Sequence, residues 1–532
     1  QTLSESFDVL SADGSATETV VLTIAGTNDV PLLAGVTTGD VVENTSLSAG
    51  GTLSISDVDA GESSYQEQTD VVGGYGLFSI GADGVWMYDL DNANVDIQTL
   101  TAGQMLSESF AVMSWDGSAM ETVVLTITGT NDVPLLSGTT TGSVIEETVL
   151  SVGGTLNISD VDTGESAYQA QVNVAGGYGL FSIGSDGVWT YSLDNANAAV
   201  QALGAGQALS ESFAVMSWDG SATETVVVTI TGSNDVPVIF VGTGDSDTGV
   251  LNETNSGLSA GGTLKVSDLD TADSVVVSAV SVASNGIANG ISGGVLLSMF
   301  SVINGSVIGA GSTLGGTSWA FDSGSEAFDY LGEGEQLVLT YTLNATDSQG
   351  GTATRGVVVT ITGSNDGPMV TAGGSLAYSE GDGPTAIDPA ITPADIDNTQ
   401  FSGATVSISS GLTPGDVLGF VNTGTLTGSY DSGSGILTIT GTDTVSNYQS
   451  ALRSVTYNSS SENPTAISAS RTITWAVIDA NTGGTGAASS IPVVSTINLV
   501  TVNDEPTLSS TGSNPTFVED GAAVGVFSGT SV

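Results

Sequence analysis

The chain has no cysteine and no histidine, and only four of its 532 residues are basic. Without cysteine there are no disulfides and no thiolate metal sites, so each domain must close its core without covalent cross-links. The absence of histidine removes the most common general base, zinc ligand and pH switch. Catalysis that depends on histidine or cysteine is therefore excluded, and an enzyme would have to use pairs of carboxylates.

The charge balance is strongly acidic. Lys265, Arg355, Arg453 and Arg471 stand against 58 acidic residues, which gives a formal net charge of −54. Nucleic acids and anionic membranes are bound by clustered Lys and Arg, so neither is an expected partner. No run of 18 or more apolar residues is present, and no membrane insertion is predicted. Divalent cations are the favoured partners, although only 12% of the residues are charged.

The chain does contain a repeated motif, Asn-Asp followed by one residue and then proline. It begins at residues 28, 131 and 234, two equal intervals of 103 residues, and returns at 365 and 503. The segment GGYGLFSIGADGVWMYDLDNAN recurs one interval later as GGYGLFSIGSDGVWTYSLDNAN. Internal duplication at a fixed period is typical of arrays of domains joined end to end.

The spacing predicts six consecutive regions. They are the closing strands of a preceding repeat (1–31), the first repeat (32–134), the second repeat (135–237), a third segment with a Gly/Ser-rich insertion near 284–318 (238–368), a fourth segment with a different core (369–506), and the opening strands of a further domain (507–532). Incomplete repeats at both ends predict an excerpt of a longer chain, with any targeting signal outside it. Strand donation between neighbouring copies is the alternative.

The pattern inside a repeat is typical of β-strands. Thr52–Ser56, Gly76–Ile80, Val85–Leu90, Ser107–Trp115 and Glu121–Thr128 alternate apolar and polar residues or are β-branched, with Asp-Gly turns between them. About seven short strands in each repeat predict an all-β fold of tandem antiparallel β-sandwiches.

Two stretches and one region depart from this alternation. Asn94–Gly103 and its copy Asn197–Gly206 are predicted to form a helical turn or a loop. The middle of the fourth segment, Phe420–Asn458, is predicted to hold further strands and turns. No helix of ordinary length is predicted anywhere else.

Acidic residues recur at the same stations of each repeat. An opening strand carries a glutamate, Asp-X-Asp follows about fifteen residues later, a further acid comes next, and Asn-Asp closes the unit. The candidate metal ligands are Asn28, Asp29, Glu43, Asp57, Asp59, Glu62, Asn131, Asp132, Glu146, Asp160, Asp162, Glu165, Asn234, Asp235, Glu253, Asp268, Asp270, Asp273, Asn365, Asp366, Glu380, Asp395, Asp397, Asn503, Asp504 and Glu519. Gln400 replaces the further acid in the fourth segment, which predicts a weaker or differently completed site there.

Carboxylates gathered at a joint repel one another unless a cation lies between them. Two of them about 4 Å apart repel by ~1 kcal/mol in water and by ~4 kcal/mol at an effective dielectric of 20. Calcium accepts many oxygen ligands in irregular geometry, whereas magnesium keeps its waters and its octahedron. Neither an EF-hand loop nor the Gly-rich nonapeptide fits the spacing, so calcium sites between domains are predicted.

The alternative interpretation is that these acids only shape turns. That interpretation is preferred for the isolated Asp-Gly pairs at Asp83, Asp116, Asp186 and Asp219. It does not explain why Glu, Asp-X-Asp and Asn-Asp recur together with no basic residue beside them, and calcium is preferred for that set.

The order GTLSISDVDAGE, YGLFSIGADGVWMYDLDNAN, SESFAVMSWDG and TVVLTITGTNDVP resembles the VCBS repeat of very large secreted bacterial surface proteins and RTX-type adhesins. The resemblance is close over 1–237 and loose over 238–368, whereas 369–506 look more like cadherin-type repeats. It implies Ig-like or cadherin-like sandwiches in an extended array, type I secretion, an extracellular or cell-surface location, and calcium at domain junctions. It also implies that Glu43, Asp57, Asp59 and Asn131-Asp132 occupy the stations of cadherin calcium ligands.

Two functions follow from these expectations. The first is a structural or adhesive rod stiffened by calcium, which joins neighbouring domains or copies of the same chain in surface adhesion or in a matrix or filament. The alternative is a carbohydrate-binding module with tryptophan platforms. Burial in the core is the preferred interpretation for Trp86 and Trp189, which lie in alternating strands. Trp115 and Trp218 precede Asp-Gly turns and are better placed to be exposed, but burial is preferred for them too. An enzyme is not expected, since a catalytic site is rarely copied every 103 residues.

Overall fold

The computed structural model describes residues 1–481 and 483–531. The chain separates into two compact units, Gln1–Asn234 and Asp235–Val532. Strands dominate both units, and the predicted all-β fold of tandem sandwiches is confirmed. Among the described residues, no helix combines the length and the apolar composition that crossing a bilayer requires.

The first unit opens with an antiparallel hairpin, β1 (Thr2–Leu10) and β2 (Thr17–Ala25). Its turn is held by the Asp13 carboxylate, which accepts a hydrogen bond from the backbone N–H of Ser15. Phe7 and Leu22 are about half exposed. The corresponding Phe110 and Leu125 of the first repeat are buried, so the hairpin leaves uncovered the face that becomes core in a complete sandwich.

The first repeat is a sandwich of a three-stranded and a five-stranded sheet, in the orders β4-β10-β9 and β3-β5-β8-β7-β6. The elements are β3 (Leu32–Gly35), β4 (Thr38–Val42), β5 (Ser48–Ser56), β6 (Gln68–Val72), β7 (Gly76–Ile80), β8 (Val85–Leu90), α1 (Val95–Gln98), β9 (Met105–Met113) and β10 (Met120–Thr128). The predicted opening strand is divided in two: β3 pairs antiparallel with β5, and β4 pairs parallel with β10. The chain therefore crosses between the sheets at its start.

The core of the first repeat is built around Trp86. In β8 every second residue is buried, which turns Trp86, Tyr88 and Leu90 inward. The indole Nε1 donates to the carbonyl of Val36 at 2.8 Å. A Cβ at Gly51 would lie 2.8 Å from the indole ring, so only glycine allows this approach. Trp86 and its copy Trp189 are fully buried, and the prediction of core tryptophans is confirmed for this pair.

The second repeat has the same topology, with sheets β12-β18-β17 and β11-β13-β16-β15-β14. Its strands are β11 (Leu135–Gly138), β12 (Thr141–Ile145), β13 (Ser151–Ser159), β14 (Gln171–Ala175), β15 (Gly179–Ile183), β16 (Val188–Leu193), β17 (Ala208–Met216) and β18 (Thr223–Thr231). Asn197–Gly206 forms turns where the first repeat has α1. Both stretches agree with the predicted helical turn or loop.

The third segment pairs a four-stranded sheet, β19-β21-β25-β23, with a five-stranded sheet, β20-β27-β26-β22-β24. The elements are β19 (Val238–Phe240), β20 (Thr248–Asn252), β21 (Ser259–Ser267), β22 (Val275–Asn285), α2 (Gly293–Ser298), β23 (Phe300–Val302), β24 (Ser306–Ile308), β25 (Leu314–Asp322), β26 (Gln336–Asp347) and β27 (Thr352–Thr362). The Gly/Ser-rich insertion forms α2 and two short strands, which extend both sheets.

The fourth segment contains sheets in the orders β29-β38-β37-β32-β35-β34, β30-β36-β33 and β28-β31. The elements are β28 (Met369–Thr371), β29 (Ser375–Ser379), β30 (Thr385–Ala386), β31 (Thr392–Ala394), β32 (Gln400–Ser410), β33 (Asp416–Gly419), β34 (Thr427–Asp431), β35 (Ile436–Thr444), α3 (Val445–Arg453), β36 (Thr456–Ser459), β37 (Ser470–Asp479) and β38 (Val493–Val500). A final antiparallel pair, β39 (Ser509–Gly512) and β40 (Phe527–Ser531), follows.

Helix α3 corrects the prediction of strands and turns alone across Phe420–Asn458. Thr444 caps its first turn, since the Thr444 hydroxyl accepts a hydrogen bond from the N–H of Asn447 at 3.2 Å. Tyr448, Ala451 and Leu452 lie three and four residues apart and form one buried stripe. The polar residues between them hide this short stripe in the sequence.

Each of the four central regions has its own hydrophobic core among the described residues, with members between Val41 and Ile127, Val144 and Ile230, Ile239 and Ile361, and Val370 and Leu499. These cores agree with the predicted series of sandwiches, while the exact domain limits stay a prediction.

Candidate metal centres

The first repeat carries a cluster of three carboxylates, here named the first centre: Asp57, Glu62 and Asp116. One carboxylate oxygen of each lies within 4.8 Å of the other two. Asp57 follows β5, and Asp116 lies in the turn between β9 and β10. Asp57 Oδ2 and Glu62 Oε2 are buried and have no hydrogen-bond partner. Unpartnered buried carboxylate oxygens are costly, and a cation is the usual solution.

The Asn-Asp motif at residues 28 and 29 is hydrogen-bonded to Asp116 of this centre and to Asp59. Asn28 Nδ2 donates to Asp116 Oδ2 at 2.6 Å, and the backbone N–H of Asp29 donates to Asp59 Oδ2 at 2.9 Å. The hydrogen bond from Asn28 is the main cause of the lowered pKa of Asp116, which stays ionised. The linker and the following sandwich therefore share one acidic site.

The second centre consists of Asp160, Glu165 and Asp219, which again lie within 4.8 Å of one another. Asn131 Nδ2 donates to Asp219 Oδ2 at 2.8 Å, and the N–H of Asp132 donates to Asp162 Oδ2 at 2.9 Å. The atoms without a hydrogen-bond partner are Asp132 Oδ2, Asp160 Oδ2, Asp162 Oδ1, Glu165 Oε2 and Asp219 Oδ1.

The opening-strand glutamate of the first repeat lies at the same joint. Glu43 is fully buried. Gln98 Nε2 donates to its Oε1 at 2.7 Å, and the N–H of Thr130 donates to its Oε2 at 3.0 Å. Burial raises the pKa of Glu43, and the charges of Asp132 and Asp162 raise it further. Glu43 therefore lies close enough to Asp132 of the linker and to Asp162 of the second repeat for their charges to interact.

The acids of the second centre are at least partly buried beside one another, and this changes their pKa values. Burial raises the pKa of Asp162, and the charges of Asp132, Asp160 and Asp219 add to this effect. Burial also raises the pKa of Glu165, again with its acidic neighbours adding to it. Burial acts in the same direction on Asp219, but hydrogen bonds from Ser217, Ser221 and Asn131 outweigh it and lower its pKa to about 2.

Glu146 repeats the arrangement of Glu43 within the second repeat. Gln201 Nε2 donates to Glu146 Oε1 at 2.6 Å, and the N–H of Ser233 donates to its Oε2 at 3.3 Å. Asn234 ends the first compact unit, whereas Asp235 begins the second.

The third centre, in the second unit, consists of Asp268, Asp273 and Asp347, all three of which are buried. The N–H of Asp235 donates to Oδ2 of the neighbouring Asp270 at 2.8 Å. Burial, followed by the charge of Asp235, raises the pKa of Asp270 to about 6. Asp347 was not among the predicted ligands; it ends β26 and occupies the turn position that Asp116 and Asp219 occupy in the repeats.

The fourth centre consists of Glu253, Asp329 and Asp366. Glu253 is only 3% exposed, and its Oε1 has no partner, while its Oε2 accepts from the N–H of Ser364 at 3.0 Å. Asn255 Nδ2 donates to Asp366 Oδ1 at 2.9 Å. Burial and then the charge of Glu253 raise the pKa of Asp329. Asp329 lies in a loop without a sequence signal, and sequence reasoning missed it.

The same joint continues into the fourth segment. The N–H of Asp366 donates to Asp397 Oδ2 at 3.3 Å, and Asn365 Nδ2 donates to Asp479 Oδ2 at 2.9 Å. Asp395 Oδ2 and Asp397 Oδ1 are buried without a partner, and burial raises the pKa of Asp395. No three-carboxylate cluster contains Asp395 or Asp397 within the described ranges. This difference follows the replacement of the further acid by Gln400.

The fifth centre consists of Glu380, Glu462 and Asp504, of which Glu462 was not predicted. The N–H of Val502 donates to Glu380 Oε2 at 3.1 Å, and Asn503 Nδ2 donates to the carbonyl of Asp504 at 3.3 Å. Glu462 and Asp504 are exposed, so this centre is the most open of the five. Glu519 is exposed and belongs to none of these clusters.

The structure separates the four Asp-Gly aspartates that the sequence treats alike. Asp116 and Asp219 lie in turns, as predicted, and also belong to the carboxylate clusters of the first and second centres. Asp83 and Asp186 each accept a hydrogen bond from an N–H two residues ahead and belong to no cluster. The hairpin turn between β9 and β10 lies next to the end of β5, and that proximity decides the difference.

The donor sets consist of carboxylate oxygens, with Asn side chains and backbone groups nearby. Oxygen-only sets suit hard cations such as Ca²⁺, and they suit soft or nitrogen-preferring metals poorly. A calcium ion would neutralise the repulsion and coordinate the unpartnered oxygens. The residues therefore fit the predicted ion, and their assignment as ligands is taken up below as a proposal.

Comparison with known proteins agrees with the fold. Residues 28–129 and 131–232 each match the model of the bacterial cadherin-like domain. No curated protein sequence matches the chain.

Solved cadherin ectodomains are similar at low identity. Extracellular domains 1–5 of protocadherin gamma B2 match with 14% identity and a TM-score of 0.42, over 94% of this chain and 87% of that one. The protocadherin gammaB4 extracellular domain matches with 15% identity and a TM-score of 0.38, over 98% and 74%. The human desmocollin-1 ectodomain matches with 14% identity and a TM-score of 0.28, over 94% and 85%.

The family match and the two sandwiches identify 28–129 and 131–232 as two tandem bacterial cadherin-like repeats, which begin 103 residues apart.

Proposed function

We propose that this chain is an extracellular structural or adhesive element in which calcium ions bind at the carboxylate centres and stiffen the joints between sandwiches. The observation that carries this proposal is the set of buried carboxylate oxygens without hydrogen-bond partners. They include Asp57 Oδ2, Glu62 Oε2, Asp160 Oδ2, Asp162 Oδ1, Glu165 Oε2, Glu253 Oε1, Asp268 Oδ2 and Asp273 Oδ2.

Without a cation these oxygens oppose the native structure. Each buried group that lacks a partner costs about 1–3 kcal/mol, and more when it is charged. The raised pKa values of Asp162 and Glu165 support this picture, because they reflect burial beside other acids. A divalent cation bound only to the folded state stabilises it by about 2.7 kcal/mol at one hundred times its dissociation constant.

Stiffening follows from which elements supply the ligands. At the joint between the first and second repeats, Glu43 belongs to the first sandwich, Asp132 to the linker, and Asp160, Asp162 and Glu165 to the second sandwich. A cation held by all three elements fixes the angle between the sandwiches, whereas mutual repulsion opens it when the cation is removed. Serial joints of this kind make a rod whose stiffness depends on extracellular calcium.

The family match supports the location and the partners that we propose for the chain. Bacterial cadherin-like repeats fit an exported surface protein, and the acidic, histidine-free composition fits a calcium-rich exterior. Type I secretion, assembly with copies of the same chain, and a role in surface adhesion, matrix or filaments are part of this proposal.

Spin labels at Met87→Cys and Thr190→Cys test the proposal in the full chain. Both positions are exposed, they are equivalent in the two repeats, and the chain has no other cysteine. Addition of EGTA should broaden the distance distribution between the labels and lower the melting temperature, and calcium should restore both. An unchanged distribution and melting temperature would refute calcium stiffening.

A second candidate is carbohydrate binding, favoured by one observation. Trp115 and Trp218 are 62% and 60% exposed, which corrects their predicted burial in the core. Each directly precedes the aspartate of a carboxylate centre, and exposed indole faces are common platforms for sugars. A glycan array that detects binding by the full chain and loses it in a Trp115→Ala, Trp218→Ala variant would support this function.

A further inference from the structure

The third and fourth segments are connected by a side-chain clamp that lies outside the five centres. Glu333 is in the turn that precedes β26. Its Oε2 accepts hydrogen bonds from Asn481 Nδ2 at 2.7 Å and from Thr485 Oγ1 at 3.0 Å. Its Oε1 accepts from the N–H of Thr485 at 2.7 Å. Both oxygens of one carboxylate of the third segment are therefore bound by the fourth segment.

The loop that holds Glu333 is shaped for it. Asp479 Oδ1 accepts a hydrogen bond from the N–H of Asn481 at 3.0 Å, and Asn481 Oδ1 accepts from the N–H of Gly483 at 2.8 Å. A Cβ at Gly483 would lie 2.4 Å from Glu333 Oε2, so glycine is needed for this approach. The amide of Asn481 is thus oriented before it meets the carboxylate.

The loop is also longer than the equivalent connection in the first repeat. Residues 480–492 connect β37 to β38, whereas only residues 114–119 connect β9 to β10 in the first repeat. The longer connection extends far enough to contact the preceding sandwich. In the repeats the equivalent connection is a tight Asp-Gly turn that contributes Asp116 or Asp219.

The first two repeats lack the carboxylate of this clamp. Gly334 donates its N–H to the carbonyl of Gly363 at 3.1 Å, as Gly103 does to Gly129 at 3.0 Å in the first repeat. This shared hydrogen bond aligns Glu333 with Ala102, and the same alignment gives Ala205 in the second repeat. In the described part of the chain, the contact between those repeats includes a backbone hydrogen bond from the N–H of Thr163 to the carbonyl of Thr99, at 3.1 Å.

We propose that Glu333, Asn481 and Thr485 form a cation-independent clamp that fixes the fourth segment to the third. The joint between the first and second repeats and the joint between the third and fourth segments then differ in what fixes their angle. The joint between the first and second repeats depends on the cation for its angle, whereas the joint between the third and fourth segments keeps its angle after the cation is removed. The clamp consists of direct hydrogen bonds, so it does not require the proposed calcium sites to be occupied.

Spin labels at Ser278→Cys and Thr438→Cys, exposed positions on the third and fourth segments, test the clamp in the full chain. In EGTA the distance distribution should stay as narrow as in calcium. Glu333→Ala, the residue found at 102 and 205, should broaden it about twofold in EGTA, because relative motion is the default for sandwiches with a small interface. Gly483→Ala should broaden it too, since its methyl group displaces the carboxylate.

Glu335→Gln is the matched control, because it lies in the same turn and introduces the residue found at 104 and 207. It should leave the distribution narrow. The clamp is refuted if the unmodified chain broadens in EGTA as much as Glu333→Ala, or if both Glu333→Ala and Gly483→Ala stay narrow. The labels at Met87→Cys and Thr190→Cys report calcium stiffening separately, so failure of either proposal is recognised by itself.

Discussion

Asn131 Nδ2 donates a hydrogen bond to Asp219 Oδ2, 2.8 Å away and 88 residues further along the chain. This contact joins the linker of the first repeat to the hairpin turn of the second. Against the effect of burial, hydrogen bonds from Ser217 and Ser221, together with this one from Asn131, lower the pKa of Asp219, while Asp219 Oδ1 has no hydrogen-bond partner. The same relationship joins Asn28 to Asp116 and Asn365 to Asp479.

Substitution of Asp116 by asparagine tests the first centre. Asn can still accept the turn hydrogen bond that Asp116 Oδ1 accepts from the N–H of Ser118, so the turn should survive. One of three ligand charges is lost, and the calcium affinity of this centre should fall about tenfold, because the number of ligand charges tunes calcium affinity. Isothermal titration with calcium measures the change.

Asp83→Asn is the matched control for that substitution. Asp83 accepts an equivalent turn hydrogen bond from the N–H of Val85, in the same repeat, but belongs to no carboxylate cluster. The calcium affinity of the Asp83→Asn variant should equal that of the unmodified chain. Equal losses in Asp116→Asn and Asp83→Asn would contradict the assignment of the first centre.

Asp162→Asn should change the stability in opposite directions with and without calcium. In EGTA the substitution removes a buried charge beside Asp132 and Asp160, so the free energy of unfolding of the second repeat should rise by about 1 kcal/mol. In calcium it removes a ligand charge, and the free energy of unfolding should fall. Thermal melts under both conditions measure this, and a loss of stability in both would indicate a purely structural role.

The stability of the cation-free protein should increase as the pH falls from about 7.5 to about 5. Burial raises the pKa of Glu43, Asp162 and Asp268, and raises that of Asp270 to about 6. The native state therefore holds protons that the unfolded chain has already released. The free energy of unfolding should therefore decrease as the pH rises through the native-state pKa values of these carboxylates.

With saturating calcium the pH dependence should reverse, because protons compete with the cation for the same carboxylates. Melting temperatures at several pH values, with EGTA and with calcium, measure both slopes. Parallel slopes in the two conditions would show that the carboxylates with raised pKa are not the calcium ligands.

Arg471→Ala should destabilise the fourth segment by about 3–5 kcal/mol, because it leaves a buried carboxylate without its counter-charge. Arg471 and Asp416 are both buried, with 2.7 Å between Arg471 Nε and Asp416 Oδ2. Urea unfolding measures the loss. Arg453→Ala is the control: Arg453 is exposed and donates to the carbonyl of Ile391, so it should cost about 0.5–1.5 kcal/mol.

Much of the fold was accessible from local pattern. The predicted strands Gly76–Ile80 and Val85–Leu90 agree with the observed bounds, because alternation in a two-layer sandwich directly reflects which face is buried. Helix α3 was missed, since a nine-residue amphipathic helix rich in Ser and Asn has too few apolar positions to be distinguished from a loop. The exposure of Trp115 and Trp218 was missed because the alternation of a strand does not extend into its turn.

Some residues of the candidate centres were likewise predicted from the sequence, and others were not. Asp57, Glu62, Asp160, Glu165, Asp268 and Asp273 were predicted because their spacing repeats, and each belongs to a cluster of three carboxylates. Asp329 and Glu462 were not predicted, since each lies in a loop peculiar to its own segment. The weaker or differently completed site at Gln400 stays a prediction. The contacts of Asn365 with Asp479 and Asn398 were not predicted, because they join residues more than thirty positions apart.

The sequence by itself determined the all-β character, the 103-residue period and the acidic stations, because these depend on periodicity and local chemistry. The tertiary structure decided which of four similar Asp-Gly turns lies beside an Asp-X-Asp, and which glutamate of the third segment meets a loop of the fourth. Such choices depend on distances between residues far apart in the chain. Those distances are set by how the sheets pack, and no local pattern carries them.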